Sequence, residues 1–203
     1  MSTECLSAYF RRRILLPRVF ILWALLVFAA EAGSDRTLQA FLLLSLIVQF
    51  RVLDDYADRG HDAAVHPERI MVDQSSAFDL RRLALALTAP IAALAWLQGD
   101  ATALLGYLLL LGAMTWLADR LRPLIPRFWR TQAVLLKYPA FVGLVSPGQD
   151  IDDWGPNAVA VLLILCLYEF ATDRELRSHP ASQAVMMLAA LLLAATLPAT
   201  LGL

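Results

Sequence analysis

The sequence predicts an all-α fold, a polytopic bundle of about seven membrane-spanning helices. Three observations predict it. Hydrophobic residues make up 59% of the 203 residues, and the mean hydropathy is +0.60, which does not fit a soluble globule. Several apolar runs approach the ~20 residues needed to cross a bilayer. Arginines concentrate in alternate connecting segments, the pattern that orients membrane helices. The length fits one domain, residues 1–203. A net charge of −1 gives no reason to expect a nucleic-acid partner. Cys5 lies in a polar tail and Cys166 in an apolar run, so neither a disulfide framework nor a zinc site is expected.

Taken in order, the candidate spans are Ile14–Ala32, Leu38–Leu53, Leu80–Leu97, Ala101–Ala118, Phe128–Val145, Asn157–Ala171 and Gln183–Leu201. The first follows Arg11, Arg12 and Arg13 and ends near Ala30-Glu31-Ala32. That resembles a cleavable leader, but the stretch is read as a retained helix. The second span is expected to continue through Asp58. Pro17, Pro90, Pro139 and Pro198 fall in or near spans, where membrane helices tolerate them as kinks.

Topology follows from charge. Arg11–Arg13, then Arg59, Arg69, Arg81 and Arg82, then Arg120, Arg122 and Arg127, then Arg174 and Arg177 all fall on one side of a seven-span chain. The opposite loops hold only Arg36, beside Glu31, Asp35, Asp100, Asp150, Asp152 and Asp153. The N-terminus is therefore expected in the cytoplasm and the C-terminus outside. Asp150-Ile151-Asp152-Asp153 reads as a solvated outer loop.

One stretch carries chemistry. Arg51–Arg69 reads RVLDDYADRGHDAAVHPER and follows an apolar run directly. On a helix, Asp55, Asp58 and Asp62 fall within roughly 60° of one another. Three like charges on one face repel. A divalent cation cancels the repulsion, and Mg²⁺ takes oxygen ligands, commonly one or two carboxylates plus substrate phosphates. The pattern suggests a site for Mg²⁺ and a phosphorylated ligand at a membrane edge.

Asp55-x-x-Asp58-x-x-x-Asp62, with Asp54 before it, resembles the first aspartate-rich motif of the UbiA superfamily of intramembrane prenyltransferases. Arg51 before it and His66-Pro67-Glu68-Arg69 after it agree with bacterial members. Tyr168-Glu169-Phe170-Ala171-Thr172-Asp173 resembles the second motif in part, with Glu169 and Asp173 at i, i+4 on one helix face. Asp58-Arg59 with His66-Pro67 is echoed by Asp173-Arg174 with His179-Pro180, as in a fold of two similar halves. The superfamily typically has nine spans and this chain has room for seven. A homo-oligomer completing the helical wall in trans is one expected arrangement.

The resemblance implies a bundle with a central cavity opening to lipid, in a bacterial inner membrane. It implies Mg²⁺-dependent transfer of a prenyl group from a prenyl diphosphate to a small lipid-soluble or aromatic acceptor. Asp55, Asp58 and Asp62, with Glu169 and Asp173, would hold Mg²⁺, and Asp54 would border the ligand. A diphosphate also needs cationic donors, and Arg is suited to bidentate contacts. Arg51 stands one turn before Asp55. Lys137, the only lysine in the chain, lies within the fifth span, where an ionisable residue suggests function. Arg69 and Arg174 are further candidates. Tyr138 and Tyr168 could turn a π-face to an allylic cation. A terpene cyclase without acceptor and a non-catalytic scaffold of the same fold are the alternatives.

Overall fold

A computed structural model describes residues 3–30, 35–65, 79–121, 124–173, 176–177 and 180–200. Every regular element among these is helical. In chain order they are α1 (Thr3–Tyr9), a π-helical turn (Phe10–Ile14), α2 (Pro17–Ala29), α3 (Arg36–Val65), α4 (Leu80–Trp116) with a second π turn (Leu117–Leu121), α5 (Arg127–Leu135), α6 (Lys137–Leu144), α7 (Ile151–Thr172) and α8 (Pro180–Thr200).

Helix starts follow local chemistry. Asp35 Oδ1 accepts from the backbone N–H of Thr37 and Leu38, capping α3, and Asp79 Oδ1 does the same for Arg82 at the start of α4. Pro17 opens α2, where its missing N–H costs nothing. Asp152 and Asp153 sit in the first turn of α7, where the helix dipole favours negative charge.

The helical pattern of α4 runs unbroken through 37 residues, yet α4 is a hairpin. The Gln49 side chain on α3 settles this. Its Nε2 donates to Ala84 O and Thr88 Oγ1, both at 3.1 Å. Its Oε1 accepts from Tyr107 Oη at 2.9 Å. Thr88 and Tyr107 would stand about 28 Å apart on a straight helix. The chain therefore doubles back near Gly99, giving two arms, Leu80–Gly99 and Ala101–Arg120, where sequence predicts Leu80–Leu97 and Ala101–Ala118. At the turn the backbone lies so close to Pro147 that a Cβ on Gly99 would sit 2.4 Å from Pro147 Cβ. Gln98 and Gln39 both donate to Val145 O there.

The expected fifth span is broken into α5 and α6 at Leu136. Pro139 has no N–H for the carbonyl of Leu135 and its ring crowds that carbonyl, so the helix restarts. Lys137 is the first residue of the new helix.

Among the described residues, four helices are long and apolar enough to cross a membrane: Arg36–Gly60, the two arms of α4, and Ile151–Thr172. Pro17–Ala29 and Ser182–Leu192 are shorter apolar helices. Phe20, Phe28, Phe41, Trp96, Leu109 and Leu191 are exposed on the outside of the bundle, as lipid contact requires. The main core joins Leu42, Leu43, Leu46 and Phe50 of α3 to Ile91, Tyr107, Phe141 and Val161. A smaller, separate core lies beneath the N-terminal arm, where Tyr9 and Ile14 meet Val52, Leu80 and Ala84.

Candidate functional site

The long α3 carries Arg51, Asp54, Asp55, Asp58 and Asp62 continuously, as the sequence predicts. Asp55 and Asp62 are buried and Asp58 is half-buried.

Asp55 lies inside a basic and phenolic clasp. Tyr9 Oη donates to Oδ2 at 2.8 Å and Arg13 Nε donates to Oδ2 at 3.1 Å. Arg13 Nη2 donates to Oδ1, and Arg51 Nε stands 3.8 Å from the same oxygen. The first π turn sets this up. Leu15 N bonds to Phe10 O, a wide i→i+5 closure. It leaves Arg11 and Arg12 exposed and turns Arg13 inward. Burial, and then the charge of Asp55, push the Tyr9 phenol well above the ordinary tyrosine range.

Asp54 has a different partner. Lys137, fully buried, reaches back from the break between α5 and α6 and donates to Asp54 Oδ2. Its ammonium also stands 5.2 Å from the centroid of the Tyr138 ring. Tyr138 packs edge-on against Phe141, which packs against Phe50. Lys137 thus ties α6 to α3 across the core.

A cavity of about 290 Å³ opens between α2, α3, α5, α6 and α7. Its polar end has Arg18, Arg51, Tyr138, Tyr168 and Glu169, and its apolar wall includes Leu25, Ile47 and Leu165. Ile21 and Tyr168 at its mouth are exposed, so the cavity opens sideways between α2 and α7. Such a shape takes an amphiphile, with an apolar tail inside and an anionic head near the two guanidinium groups.

Four of the residues singled out in the sequence therefore share one cavity: Arg51, Tyr138, Tyr168 and Glu169. Asp54, Asp55, Asp58, Asp62, Lys137 and Asp173 are not among its lining residues. Asp173 ends α7, and its Oδ1 accepts from Leu176 N at 3.4 Å, a structural cap. Arg69 and Arg174 lie outside the described residues. Three site residues were missed. Arg18 lies within the expected first span, and the rule that singled out Lys137 also applies to it. Tyr9 and Arg13 left no such signal, because a three-arginine run before a span reads as topology alone.

The carboxylates as arranged do not fit the Mg²⁺ site expected from sequence. Both oxygens of Asp55 are engaged by Tyr9 and Arg13, and Asp54 is engaged by Lys137. Among the described residues, no three His, Cys, Asp or Glu side chains converge in a way that could hold a metal ion. No family model, curated protein or solved structure matches this chain.

Proposed function

We propose that the chain is an integral membrane prenyltransferase of the UbiA type, with seven passes and a cytoplasmic N-terminus in a bacterial inner membrane. One observation carries the reading. Arg51, from the helix of the first acidic motif, and Glu169, from the second, are far apart in sequence yet line one otherwise mostly apolar cavity. Two of the helices that line it, α3 and α7, are long and apolar enough to cross a membrane.

In this reading a prenyl diphosphate enters from the lipid side between α2 and α7. Its tail lies along Leu25, Ile47 and Leu165. Arg18 and Arg51 bind the diphosphate by charge-assisted hydrogen bonds, which strengthen away from bulk water. The allylic C–O bond breaks with both electrons leaving on the diphosphate. The cation left behind faces the rings of Tyr138 and Tyr168. The acceptor's nucleophilic atom forms the new bond to carbon, and Glu169 takes the proton that the acceptor loses.

The test is diphosphate release by purified protein given prenyl diphosphates of several lengths, with and without aromatic acceptors. A coupled product supports the transferase. Released alcohol or hydrocarbon without coupling means a cyclase. The absence of diphosphate release in every condition leaves a membrane scaffold, a reading favoured by the salt bridges that already engage Asp54 and Asp55.

A further inference from the structure

We infer that Tyr9 and Arg13 are positioning residues: by engaging both oxygens of Asp55 from the N-terminal arm, they keep the Arg51 guanidinium off Asp55 and free to bind an anionic head in the cavity. This rests on the reading above only in taking an anionic amphiphile as the cavity's ligand, and it does not require the transfer reaction.

The competition is built into α3. Arg51 and Asp55 stand one turn apart, the spacing at which opposite charges on a helix pair. Left to themselves they would close into a local hydrogen-bonded ion pair. They do not. Arg51 Nε is 3.8 Å from Asp55 Oδ1, beyond hydrogen-bond reach, and it is a buried donor with no hydrogen-bond partner among the described residues.

The reason lies on the carboxylate. The Arg13 fork donates to both oxygens, the strongest arrangement a carboxylate accepts, and the Tyr9 phenol takes a third lone pair. Arg51 keeps the attraction of Asp55 without its hydrogen bond. The π turn Phe10–Ile14 makes this possible, since it turns Arg13 inward while Arg11 and Arg12 stay exposed, and π turns concentrate at functional sites. The small core of Tyr9, Ile14 and Val52 holds the arm beside the very turn of α3 that carries Arg51.

A buried donor without a partner is costly, and a ligand that supplies the acceptor removes that cost. Arg51 lines the cavity with Arg18. Arg51 and Arg13 both lie close enough to act on the charge of Arg18, so three guanidinium groups gather around one carboxylate. The excess positive charge falls on the two that face the cavity. Glu169 in the same lining offsets one of them and leaves one for the head.

The experiment measures binding of dodecyl phosphate and of a prenyl diphosphate to the full-length protein in a non-ionic detergent. Arg13→Gln lets Arg51 turn onto Asp55, and affinity for both amphiphiles should fall about tenfold, the worth of one charge-assisted hydrogen bond. Adding Asp55→Asn removes the pull on Arg51 and should bring affinity back to within about threefold of wild type. In an Arg51→Gln background, Arg13→Gln should cost nothing more, because Arg13 acts through Arg51. Unchanged binding by Arg13→Gln, no recovery with Asp55→Asn, or a loss that persists without Arg51 each overturns the inference. The last result would mean that Arg13 acts only through its overall charge. Should Arg13→Gln fail to fold, the wild-type protein decides by nuclear magnetic resonance. The Arg51 Nε–H signal, identified by its absence in Arg51→Lys, should shift on adding dodecyl phosphate, and an unmoved signal overturns the inference. Prenyl diphosphate cleavage by the same proteins separates the two readings. Loss and recovery of binding without cleavage by any of them keeps the positioning role and removes the transferase. Cleavage and binding that are alike in wild type and Arg13→Gln do the reverse.

Discussion

The two acidic stretches belong to helices that wall the same cavity, yet their surroundings are opposite. On α3, Asp54 and Asp55 are clasped by Lys137 and Arg13, which come from 83 and 42 residues away. On α7, Glu169 faces the cavity beside two tyrosines, and Asp173 caps the chain beyond it. The first stretch holds the fold together, and the second faces the space where a ligand would sit. Carboxylates on two helices that wall one cavity therefore do not have identical roles. What decides the role is which cation the tertiary structure delivers.

If that contrast is real, substitutions in the two stretches should differ in kind. The largest effect is expected from Asp55→Asn. It leaves Arg13, whose side chain is only 16% exposed, without its counter-charge, and breaking a buried pair typically costs about 3–5 kcal/mol, an upper bound here. A thermal melt followed by helical circular dichroism should show a clear loss of stability. A melt like the wild type would mean that the clasp does not form.

Lys137→Met comes next. Asp54 is a quarter exposed, so water compensates part of the loss, and about 2–3 kcal/mol is expected. Asp54→Leu added to Lys137→Met should recover much of it, since the orphaned charge is then gone. A double variant no more stable than the single one would show that Lys137 acts elsewhere.

Glu169→Gln should change stability by less than about 1 kcal/mol, as expected for a cavity-facing group, while slowing any transfer reaction. Destabilisation as large as that of Asp55→Asn would erase the contrast between the two stretches.

The smallest effect is spectroscopic. The docked arm holds the Tyr9 phenol protonated, whereas a released arm would ionise it near about pH 10. A group whose pKa is raised on docking favours the docked state below the free value and loses that contribution as pH rises. Ultraviolet titration to about pH 10.5 should therefore give the same phenolate amplitude for wild type and Tyr9→Phe. An extra phenolate in the wild type would mean an undocked arm.

Much of this architecture was legible in the chain. The turn at Gly99 separates two apolar runs, and the second helix was expected to continue through Asp58, because hydrophobic and helical periodicity are local properties; it ends at Val65. The break before Lys137 follows from Pro139, which sequence already marked as a kink. The partners of the aspartates were not legible. Tyr9, Arg13 and Lys137 reach Asp55 and Asp54 through helix packing, which no spacing rule encodes. Lys137 drew attention correctly as a buried charge, but its contact is a carboxylate of the protein itself.

The most direct measurement of the central claim is the binding of a prenyl diphosphate, the parent prenyl alcohol and inorganic diphosphate to wild type and Arg18→Gln. Arg18 lines the cavity and has no part in either aspartate clasp, so its loss should spare the fold. The account predicts that the prenyl diphosphate binds tightest of the three. Arg18→Gln should weaken it by about 10- to 100-fold, the worth of one charged hydrogen bond, and leave the alcohol unchanged. Equal affinity of wild type and Arg18→Gln for the prenyl diphosphate would contradict it.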